Sequence, residues 1–333
     1  MTTKQELEAV TELVRSSTWG GTESSVRFLA AGEYNRNYQV STSAGELVVR
    51  INTGSQLDID DQIEYEYSVL ESVADSGHTP RPIALGPRSE SFPRGYLVME
   101  WLPGRALQYT QDSLRAADLF AAVHVLAVPE SPSRPLITQP NPILDIVEES
   151  GRLLSRYPDH PRADLRRMLE RYREEIAVMG ENLAAEFAAE MPVIANTEVN
   201  SGNFLVTPDS ISLVDWEKAV ITPRYQDLGH FLVETTTRWK TDYVFDTASR
   251  RAVLAAYRTG LMNRGAVAPP LDTLARLTRA LERTIVLRGL SWCYMAYYEY
   301  SGTDRPIRNE HTARVIRSYL DEAEALIARA AAA

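Results

Sequence analysis

The sequence predicts an α+β protein with two lobes, a small antiparallel β-rich lobe followed by a large, mainly helical lobe. Before residue 100 the chain contains five short runs that are rich in β-branched and aromatic residues. After residue 112 its apolar residues recur mainly at helical spacing. We therefore place an N-terminal lobe at residues 1–100 and a C-terminal lobe at residues 101–333.

The elements of the N-terminal lobe follow from local patterns. Residues 4–15 carry apolar side chains at helical spacing and predict a leading helix. Prolines end a second predicted helix, at residues 59–76. Turns that contain glycine separate the first three strand-like runs, which is typical of an antiparallel meander. The predicted strands are residues 26–29, 38–42, 46–51, 82–85 and 95–100.

The C-terminal lobe is predicted to be helical apart from three short strands. The apolar run at residues 192–195 is a candidate buried strand, and residues 204–206 and 212–214 flank a turn and predict a hairpin. Helical periodicity marks residues 112–127, 140–157, 162–188, 224–239, 246–263, 271–301 and 308–331.

Composition argues against several classes of protein. The formal net charge is −10 and no basic patch is evident, which is unlike a nucleic-acid-binding protein. No apolar run approaches the roughly 18 residues that cross a bilayer, and the polar N-terminus does not resemble a secretory signal. The single cysteine, Cys293, excludes an internal disulfide. We expect a cytoplasmic protein, of unassigned oligomeric state, that binds neither nucleic acid nor membrane.

The candidate catalytic residues lie on a loop and at the end of the predicted hairpin. Glu198 and Asn203 are five positions apart after the run at 192–195, and Asp215 follows the second hairpin strand. Because a hairpin returns the end of its second strand to the start of its first, we expect the three side chains to converge. Their oxygens suit a hard cation such as Mg²⁺. A solvated polar loop is the plainer alternative.

The segment Asn196-Thr197-Glu198-Val199-Asn200-Ser201-Gly202-Asn203 resembles, without a gap, the loop His-Gly-Asp-x-x-x-x-Asn of the aminoglycoside phosphotransferase and choline kinase family. Asp215-Trp216-Glu217 is similar to the metal-binding segment of that family, and the likeness runs from about residue 26 to about residue 235. The resemblance implies a bilobal protein-kinase-like fold. It also implies transfer of the γ-phosphate of ATP (or GTP) to a small-molecule hydroxyl group, with Mg²⁺ as cofactor.

The resemblance also implies roles for single residues of the C-terminal lobe. Glu198 would orient or deprotonate the acceptor hydroxyl, and Asn203 and Asp215 would bind Mg²⁺. Asp215 would be the chief metal ligand, so all three are candidate catalytic residues. We interpret Asp227 as a structural carboxylate that fastens the catalytic loop, and His124 as a core residue.

The N-terminal lobe supplies the candidates for binding nucleotide. A turn containing Gly32 and Asn35 resembles the family's nucleotide-covering turn, although an ordinary hairpin is the alternative. Arg50 occupies the position of the phosphate-contacting lysine, with Glu66 as its predicted partner and Glu64 as the competing one. An exposed arginine on an edge strand is the alternative there. Backbone groups of Glu100 and Leu102, in a segment that resembles the interlobe hinge, would bind adenine.

Asn196 and Glu198 depart from the family pattern, which has histidine and aspartate at these positions. Glutamate is one methylene longer than aspartate, and a shift of roughly 1 Å in a reacting group can cost on the order of 100-fold in rate. Three interpretations compete. We favour an active kinase with an acceptor pocket that suits Glu198, because Asn203 and Asp215 persist. The others are a nucleotide-binding regulatory pseudokinase and a kinase-fold enzyme that transfers a different group or acts on a protein.

The acceptor is predicted only by class, as an aminoglycoside-like compound, an amino sugar or an amino alcohol. The acidic composition weakly favours a cationic acceptor. Glu299 and Asp304 are candidates for meeting an ammonium group. A late run of aromatic residues predicts core packing, with acceptor contact as the alternative. Its members are Trp292, Tyr294, Tyr297, Tyr298 and Tyr300.

Overall fold

The computed structural model describes residues 3–32, 34–55, 57–302 and 310–332, which form two compact units. The sheet unit comprises the described residues of Met1–Ala106, Val128–Leu136 and Phe204–Ala219. The helical unit comprises the described residues of Leu107–Ala127, Ile137–Asn203 and Val220–Ala333. The predicted hairpin therefore belongs to the sheet unit, although in the chain it directly follows residues 196–203, the candidate catalytic loop, called the catalytic loop below.

The sheet unit is built on five antiparallel strands in the order β1-β2-β3-β5-β4. The predicted meander is confirmed, because Tyr38 on the second strand pairs with Phe28 on the first and with Val49 on the third. The strands are β1 (Ser25–Ala31), β2 (Asn35–Thr42), β3 (Gly45–Asn52), β4 (Pro82–Gly86) and β5 (Tyr96–Glu100). Two helices accompany them, α1 (Thr3–Ser16) and α2 (Gln62–Val73). The second helix begins three residues later than predicted.

The two faces of this sheet differ in chemistry because side chains alternate along each strand. One face is apolar and packs with α1. On the other face lie Asn35, Asn37 and Arg50, since each is one residue out of step with the core positions of its strand, and Asn37 pairs directly with Arg50. The apolar cluster consists of Val10, Val14, Tyr38, Val40, Val49, Ile51, Phe92 and Val98.

The hairpin of the sheet unit consists of β7 (Phe204–Val206) and β8 (Ile211–Leu213), and Phe204 pairs with Leu213. It begins one residue after Asn203 and ends two residues before Asp215. The N–H of Leu213 donates a 2.8 Å hydrogen bond to the carbonyl of His78, which fastens the second hairpin strand to the N-terminal part of the same unit.

The helical unit is organised around α9 (Leu271–Ser301), which contacts most of the other helices. Two segments predicted as single helices are each split in two. One break lies at Val233, whose extended backbone (ψ 140°) cannot continue a helix. The other helices are α3 (Tyr109–His124), α4 (Pro142–Ser155), α5 (Ala163–Ala188), α6 (Tyr225–Leu232), α7 (Glu234–Lys240), α8 (Thr247–Asn263), α10 (Glu310–Asp321) and α11 (Ala323–Ala332).

The predicted strand at residues 192–195 is confirmed as β6 (Pro192–Ala195), but its partner was not predicted. That partner is β9 (Val220–Pro223), which pairs antiparallel with β6 so that Val193 faces Thr222. The pair carries the catalytic loop directly after β6. Among the described residues, no helix is long and apolar enough to cross a bilayer.

Candidate active site

The centre of the candidate site in the sheet unit is Arg50 of β3. Its Nη1 atom contacts the carboxylate of Glu66 on α2 and lies 2.8 Å from Oδ1 of Asp215. Its Nε atom donates to Oδ1 of Asn37 at 2.9 Å. Glu64, the competing partner in the sequence, instead lies near Arg134, 3.8 Å from its Nη1 atom. The edge-strand alternative for Arg50 is wrong, because β3 lies between β2 and β5 and Arg50 is only 5% exposed.

The charge of the buried Arg50 guanidinium depends on the carboxylates around it. Burial alone opposes the charge of Arg50, but Glu66, Asp215 and Glu217 outweigh it and leave the pKa of the guanidinium raised. A guanidinium has five N–H donors. Within the described part of the chain, its contacts use Nε and Nη1, which leaves the N–H groups of Nη2 for the oxygen of a ligand such as a phosphate.

The turn between β1 and β2 is connected to the same cluster. Asn35 is buried and donates from Nδ2 to Oε2 of Glu217 at 2.9 Å, while its Oδ1 accepts from Asn37 at 3.2 Å. A Cβ atom on Gly32 would lie only 3.0 Å from that Oδ1 atom, so glycine makes room for the Asn35 side chain. Glu33, inside the turn, lies outside the described residues.

The Asp215-Trp216-Glu217 segment is held in place by its middle residue. The Trp216 ring is fully buried, and its Nε1 donates to the carbonyl of Leu213 at 3.0 Å. Asp215 has a left-handed backbone (φ 66°), which aspartate tolerates better than most residues. The buried ring and this local turn together fix the half-buried carboxylate of Asp215 beside Arg50.

Glu217 is a further candidate site residue, to which the sequence motif Asp215-Trp216-Glu217 alone assigns no separate role. It is 4% exposed, accepts from Asn35, and its backbone carbonyl accepts a 2.7 Å hydrogen bond from Gln62 of α2. Carboxylate oxygens of Asp215 and Glu217 lie within 4.8 Å of each other. The available signal was the spacing of two residues around a buried tryptophan, which places two carboxylates on one side of the segment.

The catalytic loop in the helical unit is fastened through its backbone. The carboxylate of Asp227 on α6 accepts from the N–H of Asn196 at 2.9 Å and from the N–H of Thr197 at 2.8 Å. The Asp227 side chain is also 3.3 Å from Nε2 of His124, whose Nδ1 is 3.0 Å from the hydroxyl of Tyr257. The prediction that Asp227 is a structural carboxylate is confirmed, and His124 is a buried core residue as predicted.

Glu198 and Asn203 meet within this loop. The Asn203 Nδ2 atom donates to the carbonyl of Glu198 at 2.7 Å, and the N–H of Asn200 donates to the same oxygen at 2.9 Å. Because its nitrogen is used in this way, Asn203 presents its Oδ1 atom as the group available to a cation. Both side chains are half-buried. The loop therefore carries one half-buried carboxylate and one half-buried amide, while hydrogen bonds hold its backbone.

The other predicted residues occupy less specific surroundings. Glu100 ends β5 and its N–H donates to the carbonyl of Arg81 at 2.9 Å, and Leu102 follows in an irregular connection. Adenine binding by their backbones stays a prediction. Glu299 accepts from the Tyr157 hydroxyl at 2.7 Å and lies 3.6 Å from Arg156. Asp304 lies outside the described residues.

The aromatic residues of α9 are divided between core and surface. Tyr294 is buried and stacks on His160, with ring centroids 3.6 Å apart. Tyr298 is half-buried and stacks on Tyr157 at 4.3 Å. Core packing is therefore confirmed for Tyr294, whereas contact between any residue of this run and an acceptor stays a prediction.

The oxygen donors of the sheet unit fit a magnesium ion. Asp215 and Glu217 supply two carboxylates, a ligand type that Mg²⁺ prefers. In the helical unit, Asn203 separately presents an amide oxygen, which Mg²⁺ also accepts as a ligand. The described residues around these side chains contribute no thiolate or imidazole to the set, as a zinc site would require.

Comparisons with solved structures show which proteins share this fold. A choline/ethanolamine kinase family protein from Mesorhizobium loti is 16% identical, with a TM-score of 0.65 over 98% of this chain and 94% of that one. Choline kinase from Cryptosporidium parvum is 14% identical, with a TM-score of 0.63 over 97% and 96%. A spectinomycin phosphotransferase in complex with ADP and spectinomycin is 14% identical, with a TM-score of 0.60 over 96% and 98%.

At these identities the structural similarity shows the fold alone, and it confirms the predicted kinase-like α+β architecture. No curated protein sequence matches the chain. The sequence profile of the phosphotransferase enzyme family, however, matches residues 25–269, which is well over half of the protein. The chain therefore belongs to the phosphotransferase enzyme family.

Proposed function

We propose that this protein transfers the γ-phosphate of Mg²⁺-bound ATP or GTP to a hydroxyl group of a small molecule. The observation that carries the proposal is the buried contact of Arg50 with both Glu66 and Asp215. In protein kinases, catalysis requires a cation on the third strand paired with a helix glutamate, together with an aspartate that binds Mg²⁺. All three parts are present here within one unit, on β3, α2 and the segment after β8.

The nucleotide would be held by residues of the sheet unit. Arg50 offers its Nη2 donors to phosphate oxygens while Glu66 and Asn37 fix the plane of its guanidinium. Asp215 and Glu217 would hold Mg²⁺, with Asn203 as a further ligand by family analogy. Bound Mg²⁺ would neutralise charge on the transferring phosphoryl group. Gly32 and Asn35 would cover the phosphates, and Glu100 and Leu102 would contact the base.

The acceptor would be oriented by Glu198 of the helical unit. Proton transfer by a positioned carboxylate contributes typically 10²–10⁴-fold to a rate. The loop supports this role, because its backbone bonds to Asp227 and Asn203 hold the main chain while leaving the Glu198 carboxylate half-buried.

Three observations favour an amine-bearing alcohol as acceptor. The formal net charge of −10 favours cationic ligands over anionic ones. The structural neighbours include a choline kinase and a phosphotransferase bound to spectinomycin. Glu299 also lies beside the half-buried aromatic pair Tyr157 and Tyr298 and pairs there with Arg156, which shows that these surroundings accommodate a cationic group.

The test is incubation of the purified protein with MgATP or MgGTP and a panel of amino alcohols, amino sugars and aminoglycosides. We expect one class of acceptor to gain the mass of a single phosphoryl group, and Asp215→Ala to lose this product. Tight MgATP binding without any product would support a regulatory pseudokinase. An acceptor that gained a nucleotidyl group would support the third interpretation. Either result would overturn the proposal.

A further inference from the structure

We propose that Arg288 of α9, supported by Glu149 of α4, is a positioning residue that holds the catalytic loop in the conformation from which Glu198 acts. Arg288 acts through the main chain of the loop. Its Nη1 donates to the backbone carbonyl of Thr197 at 3.2 Å, and its Nε lies 3.1 Å from Oε2 of Glu149. The proposal rests on the proposed function, because Glu198 is the acceptor-side carboxylate there.

Thr197 is the point at which the loop needs support. Its backbone is left-handed (φ 66°), a region that glycine occupies readily and that a β-branched residue occupies only at a cost. The residue is also buried, at 4% exposure. A threonine at this position would return to an extended backbone unless neighbouring groups held it, and this change would swing the following residue, Glu198, away.

The peptide unit that joins Thr197 to Glu198 is held at both of its polar groups. Its carbonyl accepts from Arg288, and its N–H donates to Oδ1 of Asn196 at 3.1 Å. The preceding N–H groups, of Asn196 and Thr197, are bound by Asp227. Arg288 is therefore a side chain that holds the carbonyl end of the peptide from which Glu198 emerges.

The surroundings of Arg288 favour a fixed orientation. Its side chain is 13% exposed, and Glu149 neutralises its charge from a neighbouring helix. A single planar guanidinium thus connects α4, α9 and the catalytic loop. A planar guanidinium holds a fixed orientation better than the flexible ammonium group of a lysine does.

The test is a double-mutant cycle between Arg288→Met and Thr197→Gly. In the wild-type background we expect Arg288→Met to lower kcat about 10- to 100-fold with little change in the nucleotide KM, because only the position of Glu198 changes. In the Thr197→Gly background the same substitution should lower kcat less than about 3-fold, because glycine keeps a positive φ without the hydrogen bond from Arg288. Arg288→Lys should recover part of kcat.

Arg276→Met is the matched control, since Arg276 lies on the same helix but is exposed and paired with Glu186. It should leave kcat within about 2-fold of wild type. Equal losses from Arg288→Met in both backgrounds, or a loss confined to KM, would overturn the proposal.

A second readout separates this proposal from the proposed function. The same cycle is measured by urea unfolding, which requires no substrate. Absence of phosphoryl transfer by the wild-type protein would refute the proposed function. Coupling between the two substitutions in the urea midpoint would still support the proposal that Arg288 holds the Thr197 backbone. If the two substitutions shift the urea midpoint additively, that proposal is refuted whatever the activity.

Discussion

Arg50 shows why the identity of a single residue matters at this site. Its guanidinium makes contacts in different directions from two nitrogen atoms, with Asn37, Glu66 and Asp215. A lysine ammonium is one point charge and cannot reproduce this arrangement. We predict that Arg50→Lys lowers kcat/KM for the nucleotide about 10- to 100-fold, measured by initial rates. Arg27→Lys, on the exposed β1 strand, is the control, and equal rates for the two variants would contradict the assignment.

Glu198 can be tested by changing its charge and its length separately. Glu198→Gln keeps the shape but removes the carboxylate, so we predict a loss of roughly 10²–10⁴-fold in kcat. Glu198→Asp keeps the charge but shortens the side chain, so we predict a smaller loss, on the order of 100-fold or less. The exposed Glu181→Gln on α5 serves as control. Full activity of Glu198→Gln would refute the role proposed for this carboxylate.

Candidate residues predicted from sequence and those that only the structure indicates differ in a physical way. Glu198, Asn203 and Asp215 were selected because their spacing around a predicted hairpin is local information. Gln62 and Arg288 were not, because each acts through a contact with a distant part of the chain, at Glu217 and Thr197 respectively. A single sequence contains no spacing that would indicate such a contact.

At the scale of elements, α1 contributes a charged contact as well as apolar packing to the sheet unit. Glu6 of this helix is 4% exposed and accepts a 2.7 Å hydrogen bond from the Tyr38 hydroxyl, and it also pairs with Arg36. Burial, reinforced by Glu6, raises the pKa of Tyr38. The carboxylate thus connects the helix to β2, the strand that begins at the candidate phosphate-covering turn.

We predict that Glu6→Gln destabilises the protein by about 1–3 kcal/mol, because the buried Tyr38 hydroxyl and the half-buried Arg36 lose a charged partner. Urea unfolding monitored by fluorescence provides the measurement. Glu8→Gln is the matched control on the same helix, since its side chain is 66% exposed. Equal unfolding midpoints for the two variants would show that the contact between Glu6 and β2 is not stabilising.

Helix α4 contains a carboxylate whose surroundings favour its protonated form. Burial, reinforced by Glu148, raises the pKa of Asp145 to about 6. A carboxyl group with a raised pKa in the folded state binds more protons there than in the unfolded chain. Its contribution to stability is therefore present below the unfolded pKa of about 3.9 and is lost as the pH rises through about 6.

We predict that Asp145→Asn raises the melting temperature at pH 7.5, because the substitution removes a half-buried charge. Screening by solvent limits the gain to roughly 1 kcal/mol. The difference from wild type should shrink as the pH falls toward 4, which a series of thermal melts would show. A difference independent of pH would mean that Asp145 does not titrate in this range.

The sequence predicts an element correctly where its periodicity extends over many residues. It fails where the element forms only through pairing with a distant strand. The 31 residues of α9 match their predicted bounds because their periodicity is sustained. Strand β9 was missed, since it is four residues long, ends in a proline and exists only by pairing with β6. The break at Val233 was also missed, because no proline or glycine marks that position.

At the scale of the whole molecule, the sequence was sufficient for the fold class but not for the acceptor. The succession of short strands and then long helices predicts the α+β architecture, which the structural neighbours share. The shape of any acceptor pocket would depend on how side chains from several helices pack, which a single sequence does not indicate. The proposed class of acceptor therefore rests on chemistry, namely the acidic composition and the surroundings of Glu299.

The fate of the γ-phosphorus of MgATP tests the central claim most directly. ³¹P NMR of the wild-type protein with MgATP and the acceptor identified in the panel should show ADP and a phosphomonoester of that acceptor appearing together. Asp215→Ala and Glu198→Gln should each remove the phosphomonoester signal, while Arg27→Lys should keep it. Formation of AMP or an adenylylated product, or unchanged phosphomonoester production by Asp215→Ala, would contradict the proposed phosphoryl transfer.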